Sequence, residues 1–393
     1  MNTIFVNENQ LKLFVWISLF SAFIFDAVHV FVSYYQFDFL YLLSPLASFS
    51  SLPRFIAWLI ALIDFVVFVF SSSKRNLKFS IGLVLFFLFV NLNLQPTLND
   101  GIGYLIYIVK LTLPLLMYRL ISRFDNIFLL AKVCLVYFTV NCLVSVLGAL
   151  FQIEMFRVYG GLRFGYYGLM VAANQLSFVF ITMLAMLLTM KEYIPRIGFY
   201  IMYSLFLLAG VSLGTKALWG MLLVFFAISY FDGRVNRRYL FSIFGIGAFW
   251  LLFFMLNYEG FKHFQSLLEQ QGWIFTITSK RNELVSNVFF QNLKVFNFWN
   301  YLFGGINLKN GFVEMDVLDM VLAIGVVGLI LFGYVNRIIL FSFPLKKVLT
   351  IGFVIIYLMV GIFAGHAFVN ALNFIFLPVV CVLMKKESKI KRI

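Results

Sequence analysis

The late part of this 393-residue chain holds a dense set of groups that could do chemistry. Thr278-Ser279-Lys280-Arg281-Asn282-Glu283 is followed by Gly304-Gly305. Then comes Gly311-Phe312-Val313-Glu314-Met315-Asp316-Val317-Leu318-Asp319. Glu314, Asp316 and Asp319 place three carboxylates within six positions, and residues three apart share one face of a helix. Crowded carboxylates make one member a suitable general base. The bland alternative is that they complement the positive end of a helix dipole, which accounts for one or two of them more readily than for three. Glu314, in the Gly-rich approach to an apolar run, is the expected base. Asp316 and Asp319 are expected to orient an acceptor or hold an arginine.

A second stretch reads Tyr159-Gly160-Gly161-Leu162-Arg163-Phe164-Gly165-Tyr166-Tyr167, with Asn174 shortly after it. Arg163 and Arg281 each sit among aromatics or glycines. A guanidinium is always charged and presents a planar fork that fits phosphate or pyrophosphate oxygens. The alternative is an interfacial arginine that meets lipid phosphate nonspecifically. His366, in Ala364-Gly365-His366, ends another apolar run. No metal centre is expected. His29, His263 and His366 are far apart, and Cys134, Cys142 and Cys381 lie inside apolar runs. No Gly-rich phosphate loop is present.

The elements that must carry these groups are read from composition. The chain is 63% hydrophobic, 20% aromatic and 12% charged, with a mean hydropathy of +0.99. A soluble domain has about twice that charge. Soluble enzymes, disordered chains and disulfide scaffolds are thereby excluded, and the long continuous runs exclude an outer-membrane barrel. The expected class is all-α: one polytopic membrane domain over 1–393. About twelve spans are expected, near 11–31, 55–71, 79–95, 102–118, 127–151, 167–190, 197–213, 218–231, 239–257, 316–335, 348–365 and 367–384. Asp26, Asp64 and Lys110 fall inside spans and must face protein or water. Asp26, His29 and Asp64 are read as structural partners. The first span lacks a small-residue cleavage site and is read as a retained anchor.

With both termini in the cytoplasm, nineteen of the thirty Lys and Arg fall on the inner side, nine on the outer side and two within spans. That asymmetry explains the net charge of +14 without nucleic acid. The residues singled out above then share the outer side, in a short segment near 152–166 and a large late one near 258–315. Residues 32–54 read as a surface or re-entrant stretch, and no internal repeat is visible.

The run from Gly311 to Asp319, continuing to Gly325-Val326-Val327-Gly328-Leu329, resembles the late motif of the O-antigen polymerase and ligase superfamily. Thr278-Ser279-Lys280-Arg281 is similar to its Ser-Gly-Arg element, with Lys280 where Gly is usual. Arg163 through Asn174 resembles its earlier periplasmic arginine element. Gly214-Thr215-Lys216-Ala217 resembles its small-polar turn, with Lys216 where Arg is commoner. Glu314 and Met315 stand where ligases carry a His followed by Asn, so the resemblance favours the repeat-unit (Wzy-type) polymerase. His366 does not match the ligase position.

The resemblance implies a metal-independent and cofactor-free glycosyltransferase in the bacterial cytoplasmic membrane, with its site facing the periplasm. Its substrate would be an oligosaccharide on undecaprenyl pyrophosphate. Membrane lipids and a chain-length regulator protein are the other implied partners. The candidate catalytic set is Glu314, Arg281, Asp316 and Asp319. The candidate substrate-binding set is Arg163, Asn174, Lys216, Lys280, His366 and Tyr166, with Tyr159, Tyr167 and Trp273 offering sugar-stacking faces. The competing readings are a flippase or other transporter of lipid-linked glycans and an O-antigen ligase. A transporter should place charge near the midplane and show repeats and broken helices.

Overall fold

The structure is a computed structural model. It describes residues 4, 7–35, 52–71, 98–158, 164–170, 173–233, 235–257, 265–266, 268–269, 272–273, 281–305, 313–345, 347–363, 365 and 367–390. The described residues form helices and connecting turns. In chain order these are α1 Glu8–Tyr35, α2 Leu52–Ser71, α3 Leu98–Ser122, α4 Ile127–Leu150, α5 Ala173–Thr189, α6 Arg196–Ser212, α7 Lys216–Asp232 and α8 Arg237–Asn257. Four short elements follow: α9 Arg281–Leu284, a π-turn at Val285–Phe289, α10 Phe290–Val295 and α11 Phe298–Phe303. The chain then forms α12 Asp316–Ile339, α13 Val348–Phe363 and α14 Phe376–Ile390.

Five of these helices are long and apolar enough to cross a bilayer: α1, α2, α3, α4 and α12. Their outer faces are covered with large apolar side chains. On α1, Leu13, Ile17, Phe20, Ile24 and Phe31 recur at helical spacing and all are exposed. On α12, Val326, Ile330, Leu331, Tyr334 and Ile338 do the same. A water-facing protein would bury such stripes, whereas hydrocarbon accepts them. The chain is a helical membrane protein.

The middle of the bundle belongs to α5 and α14. Every residue from Leu176 to Met190 is buried, as is every residue from Phe376 to Met384. A helix that is apolar all round has no face for water, so it is surrounded by others. Helix α5 packs on α4, α6, α7, α13 and α14, while α14 also packs on α3 and α4. Helices α1, α2 and α8 lie toward the outside.

The segment 79–95 lies outside the described residues. The structure differs from the expected spans in two places. In 167–190 the helix begins only at Ala173, and in 367–384 only at Phe376. Both late starts follow from polar residues inside apolar runs. Asn141 of α4 accepts from the backbone N–H of Leu169 at 2.8 Å and of Met170 at 3.1 Å. Asn141 lies nine residues before the end of α4, about 13 Å along the helix at 1.5 Å per residue. The 164–170 segment therefore dips into the bundle before α5 starts. Residues 365 and 367–375 are likewise non-helical and folded against the bundle.

Buried charges divide the bundle into two ends. At one end Asp64 of α2 meets Arg119 at 2.6 Å and Arg123 at 3.5 Å, and accepts from the N–H of Ile4. Lys347–Glu387 closes the same end at 2.8 Å. At the other end Asp26 of α1 takes both guanidinium nitrogens of Arg54, at 2.8 and 2.5 Å. Arg54, the last residue of the 32–54 stretch expected at the surface, is buried, and its Nε donates to the carbonyl of Ala371 at 3.1 Å. Asp26 and Asp64 are thus structural partners, as expected.

Removing one member of a buried pair typically costs about 3–5 kcal/mol, because the other charge is left uncompensated. Arg54→Met should lower the thermal midpoint of the detergent-solubilised protein sharply, and the double variant Asp26→Asn/Arg54→Gln should recover much of the loss. Equal midpoints for all three proteins would show that the pair carries no structural load.

Candidate functional site

Helix α12 begins at a strained corner. Met315 is its N-cap, and the residue before it, Glu314, has φ of 60°. A non-glycine residue pays about 1–2 kcal/mol for that left-handed conformation, so its surroundings must impose it. They do. Gly365 packs so closely that a Cβ there would lie 2.2 Å from the Glu314 carbonyl oxygen. The same oxygen accepts from Arg281 Nε at 3.0 Å. Glycine at 365, with φ of 65°, is the residue that fits both the conformation and the space.

With its backbone pinned, Glu314 turns its side chain outward. The side chain is 43% exposed, and its Oε2 lies 3.6 Å from Arg281 Nη2, whose own side chain is 15% exposed. An arginine and an exposed carboxylate therefore sit side by side, the arginine held through the backbone carbonyl of Glu314. Arg281 starts α9, and the apolar side of α9, the π-turn and α10 packs on α12. Leu284, Val285, Val288, Phe289 and Leu293 gather round Val313 and Leu322.

Asp316 and Asp319 do something else. Asp316 is buried, and its Oδ2 accepts the backbone N–H of Ala367 at 2.5 Å and of Phe368 at 2.6 Å. Asp319 is buried, and its Oδ1 accepts the N–H of Val313 at 2.7 Å. Their carboxylates satisfy backbone donors of two non-helical segments. The sequence assigns both to orienting an acceptor or holding an arginine; among the described residues each accepts from backbone N–H groups, and Glu314 is a carboxylate beside Arg281. Burial against backbone leaves Asp316 and Asp319 to shape the corner on which Glu314 sits.

A second fold constraint fixes the floor. Helix α12 is interrupted at Gly325, with φ 67° and ψ −178°. A Cβ at Gly325 would lie 2.3 Å from the Leu302 carbonyl oxygen, and one at Gly304 would lie 2.4 Å from the carbonyl of Ala323. The end of α11 is thus wedged into the break. The Gly325-to-Gly328 signature and the Gly304-Gly305 pair read from sequence meet here as one contact.

The earlier stretch is organised around Tyr166. Its N–H donates to the Ser212 carbonyl at 2.9 Å, and its carbonyl accepts from Ser145 Oγ at 2.6 Å. The side chain is fully buried with Ala149, Phe156 and Val30. The expectation that Tyr166 touches substrate is therefore corrected: it has no surface to offer a sugar. Gly214, with φ 74°, lies against the Phe164 carbonyl. That contact brings the 164–167 stretch beside the turn that starts α7 at Lys216, where Thr215 and Ser177 share a hydrogen bond of 2.8 Å.

Both clusters lie at the same end of the bundle, tied to the start of α5. Asn370 Nδ2 donates to the carbonyl of Gln175, and Asn373 Nδ2 to Thr182 Oγ1, each at 2.8 Å. Arg163, Lys280 and His366 lie outside the described residues, as does Tyr159. Asn174 is in the first turn of α5. Among the described residues no group of His, Cys, Asp and Glu could hold a metal ion.

The residues that sequence reasoning missed are the ones that brace the non-helical segments: Arg54, Asn141, Asn370 and Asn373. Their signal was available. Each is a polar side chain next to or inside an apolar run, where an unsatisfied polar group is expensive.

Asp316 provides a direct test of this division of labour. Asp316→Asn keeps an oxygen that accepts both N–H groups, whereas Asp316→Ala orphans them at about 1–3 kcal/mol each. The Asn variant should unfold near the wild-type temperature and the Ala variant well below it, measured on solubilised protein. Equal loss from both would mean that the charge, not the acceptor, holds residues 367–368.

No protein-family model matches the chain, and neither a curated protein nor a solved structure does.

Proposed function

We propose that this protein is an oligosaccharide repeat-unit polymerase that uses a glycan carried on undecaprenyl pyrophosphate. The observation that carries the reading is the Arg281–Glu314 corner. It sets a cation and an exposed carboxylate side by side, at the end of the bundle opposite the basic one. In this reading an acceptor sugar hydroxyl attacks the anomeric carbon of the donor. The bond from that carbon to the pyrophosphate oxygen breaks, the hydroxyl proton passes to Glu314, and polyprenyl pyrophosphate leaves. Arg281 and Arg163 neutralise the leaving charge. Asn174, Lys216, Lys280 and His366 are assigned to binding the lipid-linked substrate. The pyrophosphate is already a good leaving group, so the chemistry asks for positioning and charge rather than for a cofactor.

The proposed setting is the bacterial cytoplasmic membrane, with twelve spans, both termini inside and the large 258–315 segment in the periplasm. Charge supports this orientation. Lys12, Arg119, Arg123, Lys191, Arg196, Arg237, Arg238, Lys347, Lys385 and Lys386 all belong to helix ends or turns at one end of the bundle. A reporter fused after Arg238 should therefore read cytoplasmic, and one fused near Gln270 should read external. A cytoplasmic signal at Gln270 would put the Arg281–Glu314 corner in the wrong compartment for this chemistry.

Three features favour a second reading, a flippase or other transporter of lipid-linked glycans. The break at Gly325 and the late starts of α5 and α14 are discontinuities of the kind transporters use at their binding sites. The two readings diverge in what accumulates. In the polymerase reading, Glu314→Gln removes the base while keeping size and hydrogen bonding, at a typical loss of about 10²–10⁴ in rate. Cells should then carry single repeat units and no polymer ladder. Arg281→Ala should do the same, and Arg281→Lys should recover only part, since an ammonium lacks the fork. In the transporter reading, the lipid-linked unit stays on the cytoplasmic leaflet. A normal ladder from Glu314→Gln at normal expression would remove Glu314 as the base.

A further inference from the structure

At the basic end, opposite the Arg281–Glu314 corner, the turns of two helical hairpins enclose a cleft of about 440 Å³. One turn joins α5 to α6 through Lys191–Tyr193, and the other joins α7 to α8 through Gly233. The lining includes Lys191, Arg196, Phe199, Tyr200, Gly233 and Asn236. Its two cations have no carboxylate partner among the described residues. Arg196 instead lies over the Tyr200 ring at 5.9 Å, which holds the guanidinium along α6. Glu192 and Asp232 are the nearby acids, and neither lines the cleft.

Other donors converge on the same space. Asn236 Oδ1 caps α8 by accepting the N–H of Arg238 at 2.9 Å, which leaves its Nδ2 as a donor. Helix α6 starts at Arg196 after Pro195, with no side chain capping its first N–H groups. Two uncompensated cations, an amide donor and uncapped backbone N–H groups form one anion-binding surface. The flanking helices carry exposed apolar side chains: Ile197 and Ile201 on α6, Phe231 on α7 and Phe241 on α8. A cleft that is cationic inside and greasy outside matches a phospholipid, whose phosphate and acyl chains sit at those two levels.

We propose that this cleft binds the headgroup phosphate of an anionic phospholipid, seated between the α5–α6 and α7–α8 turns. Basic pockets between spans on the cytoplasmic side recognise such headgroups. The site is independent of the reading given to the opposite end. Helix α6 packs on both α4 and α8, so a lipid held here braces the two hairpins against each other.

The test uses full-length protein in detergent, with added phosphatidylglycerol or phosphatidylcholine, read by native mass spectrometry. Wild type should retain phosphatidylglycerol and not phosphatidylcholine. Lys191→Gln/Arg196→Gln should lose at least about tenfold in retention, while Arg238→Gln, an exposed cation beside the cleft, should not change it. Excess inorganic phosphate separates the two sources of the anion. If it displaces the lipid fully, the site takes a soluble phosphate and the proposal fails. Undiminished retention in the double variant, or an equal loss from Arg238→Gln, would also overturn it. Should the double variant not fold, Lys191→Gln alone carries the comparison.

Discussion

Within hydrocarbon a backbone N–H or C=O must find a partner inside the protein, because no water is there to supply one. Most of this chain meets that demand by being helical. Among the described residues two segments do not, 164–170 and 367–375, and much of the polar inventory at the site end is spent on them. Asn141 satisfies the N–H groups of Leu169 and Met170. Ser145 takes the carbonyl of Tyr166. Asp316 satisfies Ala367 and Phe368, and Arg54 donates to the carbonyl of Ala371. Asn370 caps Leu372 and Asn373 while its amide reaches Gln175. A polar residue in this bundle is therefore first a partner for irregular backbone, and only the exceptions are free for chemistry.

That sorting changes what the acidic cluster means. Three carboxylates within six positions suggested a shared chemical role. Two accept from backbone donors, and the third turns outward from a left-handed φ. The strain at Glu314 and the burial of Asp316 are one arrangement. Residue 365 can approach the Glu314 carbonyl only as glycine, and residues 367–368 stay in place only while Asp316 accepts from them. Helix α1 takes part as well. Asp26 orients Arg54, and Arg54 holds Ala371 in the same segment. The first span thereby reaches the corner through a single buried guanidinium.

Much of this was legible from residues. Apolar runs located α1, α2, α3, α4 and α12, because a span is a length of hydrophobic sequence. The buried charges Asp26 and Asp64 announced partners, because an isolated charge in hydrocarbon is too expensive to keep. What composition could not give was where a run stops being helix. The stretches 167–170 and 367–375 are as apolar as a span. Their backbone leaves the helix because side chains far away in sequence, on α4 and α12, offer better-placed acceptors. Tyr166 was misread for the same reason. Beside glycines and an arginine it looked like a ligand-facing ring, yet it fills the space between α1 and α4.

The break at Gly325 shows how a sequence signature acquires a mechanical meaning. A Gly-hydrophobic-hydrophobic-Gly pattern in a span reads first as close helix packing. Here the first glycine lets α12 leave helical geometry, and the end of α11 enters the gap. The elements after Arg281 are short and amphipathic, with Phe290, Phe298 and Trp299 exposed, so little within them resists tilting on the bundle. Their anchors are this wedge, the apolar contacts round Val313 and Leu322, and the Arg281 bond to the Glu314 carbonyl. A ligand drawing on Arg281 therefore competes with one of those anchors, so occupancy at the corner is physically coupled to how firmly the 281–303 elements sit on α12.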